Sequence, residues 1–192
     1  MNRRIFTAAL SALLLTGVSA FAQSSTWTID PNHSQVNFGI KHVQVSTVRG
    51  SISGITGNVI WDEKNPSKSS VEATINTTTV TTNNEKRDAH LKSPDFFNVE
   101  KFPTMTFKST AVTGANGKLQ VVGDLTLAGV TKSVTLDVDG PTAPQKGMGG
   151  KLVTGLSATG KLKRSDFNFG SKFGEPMLSD EVQFTIDLEA GK

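Results

Sequence analysis

Hydrophobic and polar residues alternate along most of the chain. Over residues 34–42, Val36, Phe38 and Ile40 alternate with Gln35, Asn37 and Lys41, the period of two of a strand with one buried face. Residues 48–62 keep a β-rich character but contain Gly50, Gly54 and Gly57, which predicts a long strand that bends or bulges. Val71, Ala73 and Ile75 share one face, opposed by Glu72, Thr74 and Asn76. Met105, Phe107, Ser109 and Ala111 form the next set. Asn116-Gly117 is a hairpin turn signal, and Leu119, Val121, Gly123, Leu125 and Leu127 continue beyond it. Lys132, Val134, Leu136 and Val138 follow, then Leu152, Leu156, Ala158 and Leu162. The cleanest set is the last: Val182, Phe184, Ile186 and Leu188 against Glu181, Gln183, Thr185, Asp187 and Glu189. About eight strands separated by turn signals predict an antiparallel barrel or sandwich.

One region breaks the rhythm. Residues 84–97 predict a short helical excursion, with Asn84 as the cap and Ser93-Pro94-Asp95 as a second helix start. Pro103 closes it. Residues 140–150 read as a loop, and residues 167–180 as Gly-rich irregular chain.

Alternation shows that one face is apolar, not that it points inward. Eight amphipathic strands also describe a small outer-membrane barrel. The absence of Tyr, only two Trp, and full charges on the polar face (Lys132, Glu181, Asp187, Glu189) favour a solvated exterior.

The first residues have a different character. Asn2-Arg3-Arg4, an apolar run over residues 5–20 and Ala20-Phe21-Ala22 predict a signal peptide over residues 1–22, cleaved to leave one domain over residues 23–192. The apolar run is short for a membrane span, so no integral span is expected after its removal. The expected location is the periplasm or the secreted space.

Composition removes several chemistries. The chain has 192 residues and no Cys, which excludes disulfides, thiolate metal sites and a cysteine nucleophile. The formal net charge is +3, and the basic residues are dispersed without interleaved aromatics, so nucleic-acid binding is not expected. The three histidines, His33, His42 and His90, lack metal-ligand spacing, and neither a metal nor a cofactor is expected. No G-x-S-x-G marks a nucleophile, and no enzyme activity is expected.

A few residues carry candidate chemistry. His42 falls in phase with Val36, Phe38 and Ile40 at a strand end, as a core histidine or a polar contact at a barrel mouth. Arg87 and His90 share a helix face, either tying the excursion to the barrel rim or meeting a ligand head group. Phe96, Phe97 and Phe102 would plug one end of the barrel or wall a ligand, and the same choice applies to Phe167, Phe169 and Phe173. Arg164-Ser165-Asp166 is a polar tripeptide at a strand end, structural or ligand-binding.

Five ordered motifs then carry a resemblance. They are Trp27-x-Ile29-Asp30-x-x-His33-Ser34-x-Val36-x-Phe38 with Lys41-His42; Arg87-Asp88-x-His90-Leu91-x-Ser93-x-Asp95-Phe96-Phe97; Phe102-Pro103-x-x-x-Phe107-x-Ser109; Gly123-x-Leu125-Thr126-Leu127-x-Gly129-Val130-Thr131; and Arg164-Ser165-Asp166-Phe167. Together they span about residues 26–189 and resemble the YceI-like family of secreted bacterial polyisoprenoid-binding proteins. The resemblance implies an all-β, eight-stranded antiparallel lipocalin-like barrel enclosing a long-chain isoprenoid or related amphipathic lipid, polyprenyl or quinone-like. After Asp166 this chain reads Phe-Asn-Phe-Gly, where the family more often turns directly to Gly.

On that basis Val36, Phe38, Ile40, Phe107, Leu125, Leu136, Leu156, Phe184 and Ile186 are the candidate lining of the cavity. His42, Arg87, His90, Phe96, Phe97 and Arg164 are candidates for its polar mouth or gate. The expected role is non-catalytic lipid binding or transport, and the resemblance is compatible with a homodimer. The competing reading is a filled barrel without ligand, acting as a stress-response or protein-interaction accessory.

Overall fold

The computed structural model describes residues 24–192; the leader predicted over residues 1–22 lies outside them. The strands are β1 (Ser25–Ile29), β2 (Gln35–His42), β3 (Ser46–Ile52), β4 (Ile55–Trp61), β5 (Ser70–Asn76), β6 (Thr104–Ala115), β7 (Lys118–Leu127), β8 (Val130–Asp139), β9 (Gln145–Lys146), β10 (Leu152–Lys163) and β11 (Leu178–Gly191). Helix α1 spans Glu85–Lys92.

Among the described residues all pairings are antiparallel, and ten of the eleven segments make eight staves. β1 and β2 are one bent stave against β11: Ile29 faces Ala190 and Val36 faces Ile186, with residues 30–34 looping out between them. β3 and β4 are another, broken at Ser53-Gly54, where Gly54 has φ 69°. That is the bend expected within residues 48–62. Pairing of β10 with β11 closes the ring, and β9 adds a two-residue flap on β10.

The apolar side of the alternation points inward. Trp27, Ile29, Met105, Phe107, Leu119, Val121, Leu125, Leu127, Val134, Leu136 and Val138 are buried in one cluster or beside it. The residues between them, such as Thr106, Lys108, Gln120, Asp124, Thr135 and Asp137, face away and are exposed or nearly so. A membrane barrel needs the opposite arrangement, with an apolar exterior. Among the described residues no helix is long and apolar enough to cross a membrane.

Three local expectations change. A register shift between Ser109 and Ala111 reverses the phase of β6, so Ala111 faces out and Val112 is buried. An inserted residue in one strand of a pair does this. Ser93-Pro94-Asp95 opens a turn rather than a second helix: the Phe96 and Asn98 amides both return to the Ser93 carbonyl, at 3.0 and 2.9 Å. Leu152, at the start of β10, is exposed.

Helix α1 begins where expected. The Asn84 side chain accepts from the Arg87 amide at 3.0 Å, satisfying one of the unpaired donors of the first turn. Its place follows from the sheet. β3 and β6 are not paired with each other, and residues 77–103 fill the space between them. Ser51 bridges Thr81. The Thr77 amide donates to the Pro103 carbonyl at 3.0 Å, and its hydroxyl to Phe102 at 2.9 Å.

Candidate functional site: an apolar cavity through the barrel

The barrel is not filled. Its interior is a cavity of about 1420 Å³. The nine in-phase residues, Val36, Phe38, Ile40, Phe107, Leu125, Leu136, Leu156, Phe184 and Ile186, all stand on its wall. The wall also includes Trp27, Val59, Trp61, Val71, Ile75 and Met105, which come from the same inward faces.

Glycines explain why large side chains leave the lumen open. Phe38 pairs with Gly50 on β3 and with Phe184 on β11, and Phe184 pairs with Gly160 on β10. A Cβ on Gly50, Gly123 or Gly160 would strike the ring of Phe38, Phe107 or Phe184 respectively. The three rings lie over bare backbone along the wall. Gly50 therefore seats a ring and does not bend its strand, unlike Gly54.

At one end, residues 77–103 and the loop after β10 meet. Asp88 accepts from the Thr82 amide at 2.8 Å, from the Thr82 hydroxyl, and from the Thr81 hydroxyl at 3.0 Å. Partial burial works against its charge, but these bonds and nearby Arg87 prevail, and its pKa is lowered. Arg87 Nε donates to the Thr82 hydroxyl at 2.7 Å and Nη2 to the Thr82 carbonyl at 3.0 Å, which fixes an exposed guanidinium at the rim. His90 Nε2 lies 3.2 Å from Asp95 Oδ2, and Lys172 Nζ donates to Asp95 Oδ1 at 2.6 Å. The Lys172 and His90 bonds lower the pKa of Asp95.

Phe96 and Phe97 of the first aromatic group and Phe169 and Phe173 of the second form one cluster, whereas the Phe102 ring lies at Gly129 and Phe167 is buried in the core. Phe96 stacks on Phe173 at 5.4 Å and meets Phe169 edge-on at the same distance; Phe97 meets Phe169 at 4.7 Å. His90 caps the cluster edge-on against Phe96 and Phe173. Phe96 and Phe97 are buried and close this end of the cavity. His42 is exposed at the end of β2, on the same rim.

Arg164 is different from its expectation as a mouth donor. It is 5% exposed and donates to five backbone carbonyls: Ser179 at 2.9 Å, Phe169 at 2.8 Å, Gly170 at 3.1 Å, Phe173 at 2.9 Å and Leu178 at 3.2 Å. Five donors are all a guanidinium has. The group organises residues 169–179 and has none left for a ligand. Burial lowers its pKa, opposed by Asp180 and Glu175.

The cavity also reaches the opposite end, where Ser24, Glu63, Lys64, Asn116, Thr142 and Lys192 border it. Lys192 Nζ sits 4.4 Å from the Trp27 ring centroid. Asp62 is buried there and holds its loop by accepting from the Lys64 and Asn65 amides. Sequence alternation pointed to none of these rim residues, because they lie on turns where the period is lost.

On the outer surface Asp30, His33 and Glu189 converge within 4.8 Å of one another. His33 Nδ1 is 2.8 Å from Asp30 Oδ2 and 3.8 Å from Glu189 Oε1. Histidine spacing alone gave no sign of this group, because Glu189 arrives from the far end of the chain.

The YceI-like domain family matches residues 27–190. Protein YceI of Salmonella newport (strain SL254) is 40% identical over 189 residues, covering 98% of this chain and 97% of that one. The crystal structure of the Campylobacter jejuni YceI protein is 36% identical, covers 79% of this chain and 89% of its own, and superposes with a TM-score of 0.70. A polyisoprenoid binding domain from Saccharophagus degradans, implicated in plant cell wall breakdown, shares the fold. It is 14% identical and covers 86% of this chain and 97% of its own, with a TM-score of 0.64.

Proposed function

The chain belongs to the YceI-like family, and from that premise we propose that it is a non-catalytic carrier of an isoprenoid or related long-chain lipid, polyprenyl or quinone-like, acting in the periplasm or secreted space. The observation that carries the reading is the apolar cavity of about 1420 Å³. Sites for drug-sized molecules run to roughly 300–1,000 Å³. This one is larger, lies inside a barrel and reaches both ends, the shape for a long flexible tail. Burying about 500 Å² of tail at ~25 cal/mol/Å² contributes roughly 12 kcal/mol before ordering costs. The ligand class is further supported by the Saccharophagus degradans domain of the same fold, which binds polyisoprenoid.

Val36, Phe38, Ile40, Phe107, Leu125, Leu136, Leu156, Phe184 and Ile186 supply the apolar contact. Phe96 and Phe97 wall one end, and His42, Arg87 and His90 offer polar atoms there to a head group. The polar clusters of this end are arranged for structure. Asp88 is bound by Thr81 and Thr82, and His90 rests on Asp95. That supports binding without turnover. The predicted leader supports export.

The test is to express the chain with its own leader, purify it from the periplasm without detergent, and compare native with denaturing mass spectra. A released mass in the isoprenoid or quinone range is the expected result. An empty protein that also fails to take up added polyprenyl lipid would overturn the reading in favour of a barrel acting by protein contact.

A further inference from the structure

Large apolar side chains of the described residues are seldom exposed, and three of the exceptions stand at one corner. Val45 is 82% exposed, Met177 50% and Val43 46%. The corner is held together: the Val43 amide donates to the Met177 carbonyl at 2.9 Å, and the Val45 amide to His42 at 3.0 Å. It stands at the mouth of the cavity, whose wall includes His42, Met177 and Leu178.

The turn itself is unusual. Val43 and Gln44 have φ of 45° and 60°, a conformation for which Asn and Gly are the ordinary choices. A β-branched residue there is a genuine outlier, and such strain concentrates at functional sites. The turn thus carries valine at positions where water contact alone would favour a polar residue.

Two cations stand beside it. Lys41 and Arg49 stand on the outer faces of β2 and β3, and neither has an acidic partner among the described residues. Of the nearby carboxylates, Glu181 pairs with Lys161 at 3.2 Å, Glu175 accepts from the Asp180 amide, Asp180 accepts from Ser165, and Asp166 borders the same groove as Lys41 and Arg49. An apolar tip with free cations behind it is the pattern that settles into an anionic lipid surface.

We propose that the corner formed by Val43, Val45 and Met177 docks on an anionic bilayer and seats the cavity mouth on the surface that holds the lipid. This rests on the lipid-carrier reading above. It gives the tail a path from acyl chains to barrel without crossing water.

The experiment is co-sedimentation of the purified protein with vesicles of phosphatidylcholine and phosphatidylglycerol, and with vesicles of phosphatidylcholine alone. Wild type is expected to partition to the mixed vesicles, and less so as salt is raised. Val45→Asp should weaken partitioning roughly tenfold, the loss of one buried apolar side chain. Met148→Asp is the control: Met148 is 97% exposed at the opposite end. It should leave partitioning unchanged. Wild type that ignores mixed vesicles, Val45→Asp that partitions normally, or a loss that follows Met148→Asp instead would each overturn the proposal. Loading with polyprenyl lipid delivered from detergent separates the two readings. Val45→Asp should load like wild type, whereas failure of wild type to load would strike the carrier reading.

Discussion

Phe184 lies flat across Gly160. The two residues pair between β11 and β10, and a Cβ on Gly160 would stand 2.5 Å from Phe184 Cζ. Phe38 repeats the arrangement over Gly50 on the other side of Phe184, so Gly50, Phe38, Phe184 and Gly160 form one row across four strands. Aromatic rings over strand glycines restore the contact that a missing side chain forfeits. An eight-stranded barrel is only just wide enough for its own side chains or one ligand. Laying the rings on the wall decides between those outcomes in favour of space.

Gly160→Val therefore pushes Phe184 toward the barrel axis. The barrel should fold with a loss of about 1–3 kcal/mol from overpacking. Its capacity for polyprenyl lipid should fall, most for the longest chains. Removing the ring in Gly160→Val/Phe184→Ala should restore capacity. Thermal unfolding and a loading series over chain length check this, and undiminished capacity in the single variant would show that the ring does not gate the lumen.

Arg164→Lys tests the hub of the 169–179 loop. An ammonium has three donors and no fork, so at least two of the five carbonyls lose their partner. Buried acceptors left unpaired cost about 1–3 kcal/mol each. A loss of roughly 2–5 kcal/mol is expected, with hydrogen exchange in residues 169–179 rising before the barrel opens. Wild-type stability would mean that other groups or water replace the fork.

Much of this was legible in the sequence. Ser70–Asn76 alternates cleanly and is β5, and the inward residues of β8 and β11 follow from period two alone. The eleven segments count as eight because the breaks at residues 30–34 and 53–54 interrupt staves without ending them, and β9 is only a flap on β10. What period two misses is whatever changes phase or joins distant segments. The Ser109/Ala111 irregularity inserts a residue that no local composition marks. Gly50, Gly123 and Gly160 score as neutral in an apolar pattern, yet each seats a ring from a neighbouring strand. Arg164 serves backbone carbonyls, and carbonyls have no sequence signature. Phe96 meets Phe169 and Phe173 only because the two loops cover the same end of the barrel.

The seam between those loops should loosen in acid. Bonds from Lys172 and His90 hold Asp95 below its ordinary value, so its ionised form favours the folded state. That contribution is complete above the ordinary carboxylate pKa of ~4 and fades as pH falls through the lowered one. Amide exchange at residues 94–98 and 168–173 should quicken over that range. Asp95→Asn should already exchange fast at neutral pH and respond less to acid. Equal acid sensitivity in both proteins would place its source in another carboxylate.

The outer junction of β1 and β2 carries the opposite sign. The hydrogen bond that His33 donates to Asp30, reinforced by the charges of Asp30 and Glu189, raises the pKa of His33. Its contribution to stability is therefore complete below the ordinary histidine value of ~6.5 and is lost as pH climbs through the raised one. In the same contact Asp30 is lowered, chiefly by the His33 bond, so acid removes its share from the other side. Imidazole and carboxylate are both charged only between those limits, and there the pair closes the loop over residues 30–34. His33→Gln keeps a donor within reach of Asp30 but cannot titrate. Thermal melts from neutral to mildly alkaline pH should decline for wild type by an increment that is absent in His33→Gln, and an NMR titration should place the His33 ring above the ordinary value. The same decline in His33→Gln, or an ordinary ring titration, would show that the pair does not govern this junction.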